Sequence, residues 1–301
     1  MSSATVIPKR IQLETIFGCN ASCTMCMVDE PTSRSKGRMS QDLFMATIDE
    51  FADYKDQLEK VDLFGIGEPL LDKLIFERIA YAKSKGLPSV AISTNADLLD
   101  HDAAKDLLDS GIDTVIFSID GTDAKTHEAI RMNTNFDRII ENVERVVGLR
   151  NARNSKTRFV FRFIVQDSNR HQWEGFRELW RSKINAEKGD LVIGYDVQSW
   201  GGSVGANTQD LPEVPPELPC HHVSDRMIIL RDGTVPLCCA DVHDPELDLG
   251  NVRGGSAIET YNGPRFREIR EMHMRGRRND LRICRDCTIL NSELTQKILT
   301  E

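Results

Sequence analysis

Three cysteines, Cys19, Cys23 and Cys26, fall within eight residues in the pattern Cys-x3-Cys-x2-Cys. Thiolates at that spacing can ligate three irons of a cubane cluster and leave the fourth iron without a protein ligand. An open metal position is what a catalytic centre requires. A zinc site that borrows a fourth ligand from elsewhere in the chain would use the same residues. A second group, Cys220, Cys238, Cys284 and Cys287, is spaced Cys-x17-Cys and, after a gap, Cys-x2-Cys. Four thiolates saturate either a structural zinc or a fully ligated iron–sulfur cluster, and spacing does not separate the two. Cys239 is left over beside Cys238. It reads as a small buried hydrophobe, an alternative ligand, or a thiol aimed into a substrate cavity. Asp241, two residues further on, is a candidate general base. His221, His222 and His243 lie nearby but are not needed as ligands.

The elements that must position these residues follow from hydrophobic periodicity. Apolar β-rich runs at Ile11–Phe17, Val61–Ile66, Val90–Thr94, Thr114–Ile119, Arg158–Val165 and Leu191–Val197 alternate with helical patterns. The helices are expected at Gln41–Tyr54, Lys73–Lys85, Asp100–Ser110, Phe136–Arg150 and His171–Ile184. Ser40 and Asp100 read as N-caps, and Gly86 and Gly111 as helix stops. Six strand–helix units imply an α/β fold with a parallel sheet, either an open barrel or a doubly wound sheet. The stretch 200–219 holds three Gly and four Pro and reads as a linker between residues 1–199 and a tail at 220–301. The tail suggests a hairpin, Met227–Leu230 and Gly233–Cys239 around Asp232-Gly233, then one helix near Pro264–Met274. It is too short for a core of its own, and a metal staple would supply what burial cannot.

Bulk properties narrow the class. The 301 residues carry 47 acidic and 38 basic side chains, a net charge of −9. That balance argues against the basic face that nucleic acid requires, and Arg275–Arg278 reads as a solvated helix end. No apolar run is long enough for a signal peptide or a membrane span, so no membrane partner and a cytoplasmic location are expected. Reducing conditions there would keep the eight cysteines from pairing as disulfides.

The triplet after the first strand resembles the radical S-adenosylmethionine (SAM) superfamily, and further segments fall in that family's order. Ile66-Gly67-Glu68-Pro69 resembles the family's Gly-Gly-Glu-Pro motif, with Ile66 in place of the first glycine. Ser93-Thr94-Asn95 and Ser118-Ile119-Asp120-Gly121 resemble segments that contact the ribose and methionine moieties of SAM. Arg131 stands where the family places an arginine against the SAM carboxylate, and Met25 where a residue near the adenine is found. The second group, with Gly233 five residues before Cys238, resembles the twitch domain, a shortened SPASM extension carrying one auxiliary four-iron cluster. The resemblance implies a partial (β/α)6 barrel with a small C-terminal β-hairpin/helix twitch domain, and two [4Fe-4S] clusters with SAM as cofactors. Cys19, Cys23 and Cys26 would hold the SAM cluster; Cys220, Cys238, Cys284 and Cys287 would hold the auxiliary one. Flavodoxin or ferredoxin is the implied electron donor.

Twitch-bearing relatives include dehydrogenases of amino-sugar-like alcohols and epimerases. The spare Cys239 favours epimerisation, in which a thiol returns a hydrogen atom to the substrate radical. Oxidation of a sugar alcohol, with Asp241 as base, is the alternative, and a non-catalytic zinc module a remote third. With the first strand beginning by about Ile11, no leader-peptide-binding domain is expected ahead of the barrel. A small molecule such as an amino sugar is therefore expected before a peptide, and the net acidity suits a cationic one. Anaerobic reconstitution is expected to give about eight irons per chain and absorbance near about 400 nm, whereas a colourless zinc protein would overturn both cluster assignments.

Overall fold

A parallel strand cannot turn straight back on itself, so each of the six strand runs must be joined to the next by a crossover, and the helical patterns supply these. The computed structural model describes residues 5–204, 212–215, 217–294 and 297–299. Its principal sheet has eight strands: β1 (Arg10–Leu13), β2 (Lys60–Asp62), β3 (Val90–Thr94), β4 (Thr114–Ser118), β5 (Arg158–Val165), β6 (Leu191–Asp196), β7 (Arg226–Ile229) and β8 (Lys297–Leu299). Their order is β7-β1-β2-β3-β4-β5-β6-β8. All neighbours are parallel except β8, which runs antiparallel to β6. Residues from β1 through β7 line one cavity of about 600 Å³, so the sheet curls around it as an open barrel.

Five helices cover the outer face: α1 (Gln41–Ala52), α2 (Ile75–Ser84), α3 (His101–Asp109), α4 (Phe136–Ala152) and α5 (Trp173–Arg181). The expected caps are present. Ser40 accepts from the Leu43 amide at 3.3 Å and Asp100 from the Ala103 amide at 2.9 Å. Gly86 and Gly111 both adopt left-handed φ near 76°. On β5 the side chains alternate: Phe159, Phe161 and Phe163 are fully buried under the helices, while Arg158 and Arg162 face the barrel interior. Phe161 stacks on Trp180 with ring centroids 4.4 Å apart.

Two expected strands are shorter than their apolar runs. The first ends at Leu13 because Glu14 is drawn into a buried ion pair with Arg34, and Ile16–Phe17 pairs separately with Gly37–Arg38. The second ends at Asp62, and Leu63–Ile66 turns over the barrel rim. The tail hairpin is corrected more fundamentally. A tight turn does form at Gly233, but the first arm becomes β7 and adds to the main sheet beside β1, with Arg10 opposite Arg226. The second arm makes one bridge, Thr234 to Asn251. Sheet addition wins because Met227 and Ile229 then join the same apolar core as Ile11 and Leu13. The expected helix is found at Pro264–Met274. The expected linker, 200–219, lies partly outside the described residues.

One buried ion pair closes the far side. Arg150 of α4 and Asp190 before β6 are both fully buried, joined at 2.9 and 2.7 Å, and Asp190 also accepts from the Phe159 amide at 2.7 Å. Replacing Arg150 by Leu strands that carboxylate without its cation. The substitution is expected to lower stability by about 3–5 kcal/mol, read as a fall in the urea midpoint; an unchanged midpoint would contradict this role.

Candidate active site

The triplet loop has little secondary structure of its own and is fixed by its neighbours. Ser22–Cys23 pairs antiparallel with Arg131–Met132, placing Cys23 opposite Arg131, and the Thr24 amide donates to the Ile130 carbonyl at 2.9 Å. Asn20 donates to Asp97 at 3.1 Å and accepts from Asn95 at 2.9 Å. The Asn95 amide nitrogen also lies 3.8 Å from Cys19 Sγ. From the other side Trp200 Nε1 donates to the Met25 carbonyl at 3.0 Å. The loop therefore sits at the C-terminal ends of the strands, where α/β barrels carry their chemistry.

The residues expected to meet SAM gather on the same rim. Gly67 bridges to Gly18, and a Cβ there would lie 2.7 and 2.8 Å from the Ile16 and Gly18 carbonyls, at a φ of 154°. Ile66, the departure from Gly-Gly-Glu-Pro, is buried in a small apolar cluster with Phe17, Met27 and Val242, against which Cys19, Cys26, Trp200 and Cys239 pack. Glu68 is buried and accepts from the Leu70 amide (3.0 Å), the Thr94 hydroxyl (2.7 Å) and the Asn95 amide (2.7 Å). Burial pushes its carboxyl up to about 7 despite these donors. Ser93 and Ser118 face one another at 3.3 Å, and Arg162 Nη2 donates to both. Met25, Gly67, Glu68, Ser93, Asn95, Ser118 and Arg131 all line the cavity. Asp120 does not: it is fully buried, accepts from the Ile164 amide at 2.7 Å and pairs with Arg131 Nε at 2.7 Å. Its part is to orient Arg131, whose Nη1 lies 3.8 Å from Cys23 Sγ.

The second group assembles from three segments. Cys220 precedes the short helix His222–Asp225, Cys238 follows the Gly233 turn, Cys284 lies in Arg282–Arg285, and Cys287 accepts from the Ile289 amide at 3.5 Å. All eight cysteines are free thiols. Burial pushes Cys19, Cys220 and Cys284 up to about 12, so a bound cation is needed before these sulfurs become thiolates. The sulfur spacing tests which metal fits. A tetrahedral zinc with Zn–S bonds of about 2.3 Å needs its sulfurs about 3.8 Å apart. Among the described residues no three cysteine sulfurs fall within 4.8 Å of one another; the one set of ligand atoms that does is His221, His222 and Glu293.

The two adjacent cysteines part company. Cys238 packs with Cys284 against the main core, whereas Cys239 packs against the smaller apolar cluster of Phe17, Ile66 and Val242 and lines the cavity, while staying close enough to Cys220, Cys238 and Cys287 for its charge to act on them. Asp241 does not reach it. Its oxygens accept from the Leu237 and Glu246 amides, both at 2.9 Å, and clamp the turn that carries both cysteines. Burial pushes its carboxyl up to about 7, and Asp241 is not among the residues that line the cavity. Sequence reasoning also passed over Arg162, Tyr195 and Trp200. The charged residues at alternate positions of a Phe-rich strand signalled the first; nothing local marked Trp200, whose stretch reads as loop.

Comparison with known proteins gives two family matches: residues 13–173 to the radical SAM superfamily, and residues 220–288 to an iron–sulfur cluster-binding domain of the SPASM type. An AdoMet-dependent heme synthase of Nitratidesulfovibrio vulgaris is 34% identical over 123 residues, covering 41% of this chain and 32% of the relative. The chain thus spans about a third of the length of that curated relative. Among solved structures, BtrN in complex with AdoMet and 2-DOIA aligns with a TM-score of 0.63 at 16% identity, covering 94% of both chains. Streptococcus suis SuiB bound to the precursor peptide SuiA aligns with a TM-score of 0.68 at 15% identity, covering 95% of this chain and 71% of that one. At these identities the structural matches speak for the fold alone.

Gly67 gives the sharpest test of the rim. Gly67→Ala must push the Ile16 or Gly18 carbonyl aside in a backbone conformation that disfavours a side chain. It is expected to cost about 2 kcal/mol or more and to lower the iron retained per chain after reconstitution, measured by iron assay. Wild-type iron content and stability would show that the rim does not need this close approach.

Proposed function

The chain belongs to the radical SAM superfamily and carries a C-terminal iron–sulfur cluster-binding domain, with two four-iron clusters and SAM as its cofactors; from that premise we propose that it is an epimerase in which Cys239 returns a hydrogen atom to the substrate. Cys19, Cys23 and Cys26 would hold the cluster that meets SAM, and Cys220, Cys238, Cys284 and Cys287 the auxiliary one. When bound, the first cluster with SAM supplies a 5′-deoxyadenosyl radical able to remove a hydrogen atom from carbon.

The chain's own residues do the rest. Asn95 and Arg131 hold the triplet loop at Cys19 and Cys23, and the Glu68 and Asp120 carboxylates hold Asn95 and Arg131 in turn. Ser93, Ser118 and Met25 line the space left for SAM. The observation that carries the reading is that Cys239, the thiol the auxiliary cluster does not require, lines the same cavity as Cys19, Cys23 and Cys26. In this role the S–H bond breaks and a C–H bond forms on the face opposite the one attacked. The electron and proton that restore the thiol come from the reductant and from solvent. Oxidation would instead need a base at the substrate; Asp241, held by two backbone amides and with its carboxyl pushed up to about 7 by burial, is not among the residues that line the cavity. A cavity of about 600 Å³ suits a small molecule or one residue of a peptide.

In deuterated water the product is expected to carry deuterium at the inverted carbon. Cys239→Ala is expected to lose at least about 99% of epimer formation, a barrier increase of roughly 2.7 kcal/mol, while 5′-deoxyadenosine is still released. Full turnover to epimer by that variant, followed by mass spectrometry, sinks the donor role.

A further inference from the structure

The lower half of the cavity carries a charge pattern that the radical chemistry at its rim does not use. Arg10, Lys60, Arg158 and Arg226 are the first residues of β1, β2, β5 and β7, and all four line the cavity at its floor. Arg10 sits opposite both Lys60 and Arg226 in the sheet register, so three cations occupy one rung. One carboxylate, Asp62, answers two of them: it pairs with Arg10 and lies 3.1 Å from Lys60. Arg158 and Arg226 have no ion-pair partner among the described residues, and the Nε of each is buried without a hydrogen bond. Glu293, the other acidic group near this level, is engaged by His222 at 2.8 Å and by His221 at 3.8 Å, and the nearby Arg226 charge also acts on it without an ion-pair contact. Arg162 above them also leaves its Nε unmatched and aims its Nη2 at Ser93 and Ser118. Tyr195 lines the same space. Burial, and the neighbouring Arg10 and Arg226 charges, hold Lys60 below its usual range, while Asp62 opposes that shift.

Buried charges are stable only when they are paired and their donors satisfied. Here a protein with a net charge of −9 gathers inside its barrel half-buried guanidinium groups whose buried Nε atoms are unmatched. Guanidinium donors fit carboxylate and phosphate oxygens two at a time. We propose that the cavity floor binds an anionic group of the substrate, a carboxylate or a phosphate, with Arg158 and Arg226 as its direct partners. An organic anion seated there extends upward toward Cys239 and the triplet loop, which line the same cavity. The proposal rests on the radical reading only in calling the occupant a substrate. It also reverses the expectation, drawn from net charge, of a cationic one: the field inside the cavity differs in sign from that of the whole chain.

The test is calorimetric titration of the reconstituted holoenzyme with inorganic phosphate and, separately, with glutarate. One of the two anions is expected to bind at one-to-one stoichiometry. Arg226→Gln and Arg158→Gln should each weaken that binding about ten- to a hundredfold, the loss of one charge-assisted hydrogen-bonding partner. Arg226→Lys should recover most of it, and Arg275→Gln on the exposed surface should leave it unchanged. Iron content and far-ultraviolet circular dichroism matching wild type certify each variant, and the wild-type stoichiometry needs no variant at all. The proposal is overturned if neither anion binds the wild type one-to-one, or if folded Gln variants bind as the wild type does. Cleavage of SAM by the reduced wild-type holoenzyme, scored as 5′-deoxyadenosine, tests the radical reading separately.

Discussion

The site depends on a buried carboxylate that must be satisfied. Glu68 makes no ion pair among the described residues, so its oxygens need donors, and the donors come from the Leu70 amide and from Thr94 and Asn95 at the tip of β3. Meeting that requirement fixes the tip of β3 against the loop after β2. Asn95, held there, reaches the triplet loop at Asn20 and Cys19. Asp120 repeats the device on the other side, joining β5 through the Ile164 amide to Arg131, which reaches Cys23. A loop with almost no regular structure thus gains its position from two buried acids, each acting through the side chain it holds.

Strands in parallel sheets usually have both faces buried and read as continuous apolar runs. This barrel divides its two faces instead. Outward residues such as Phe159, Phe161 and Phe163 pack under the helices with Trp173, Phe176 and Trp180, while the inward residues of the same strand include Arg158 and Arg162 beside Val160 and Ile164. Stability is concentrated on one face and chemistry on the other, a single residue apart. A one-residue slip of β5 would therefore exchange core for cavity, which pins its register firmly.

Much of this was legible because the signals are local. The triplet and the paired cysteines are defined by spacing, Ser40 and Asp100 by capping chemistry, and the six strands by runs between helical patterns. What escaped was set by contacts far apart in sequence. Glu14 ends β1 early because Arg34 and Arg231 claim its carboxylate. The apolar arm Met227–Leu230 looked like half of a hairpin, but its larger apolar partner was β1. Asp241 lies two residues from Cys239 in sequence, yet its oxygens take up the Leu237 and Glu246 amides, contacts that spacing does not reveal. Trp200 sat in a Gly- and Pro-rich stretch that gave no reason to expect a donor to Met25.

The placement of β7 beside β1 has a consequence for how the chain reaches this fold. During synthesis β1 emerges first, yet the strand that covers its open edge appears only after β6 has been made. Until then the edge of Arg10–Leu13 offers unpaired backbone groups and the side chains of Ile11 and Leu13 lack part of their cover. Such a high-contact-order pairing delays completion of the barrel and leaves a long vectorial intermediate exposed to mispairing. The cysteines of the second group lie on either side of β7, so ligating them draws that strand's flanks together. A cluster held by Cys220 ahead of β7 and by Cys238, Cys284 and Cys287 after it would therefore span the very segment that closes the N-terminal edge.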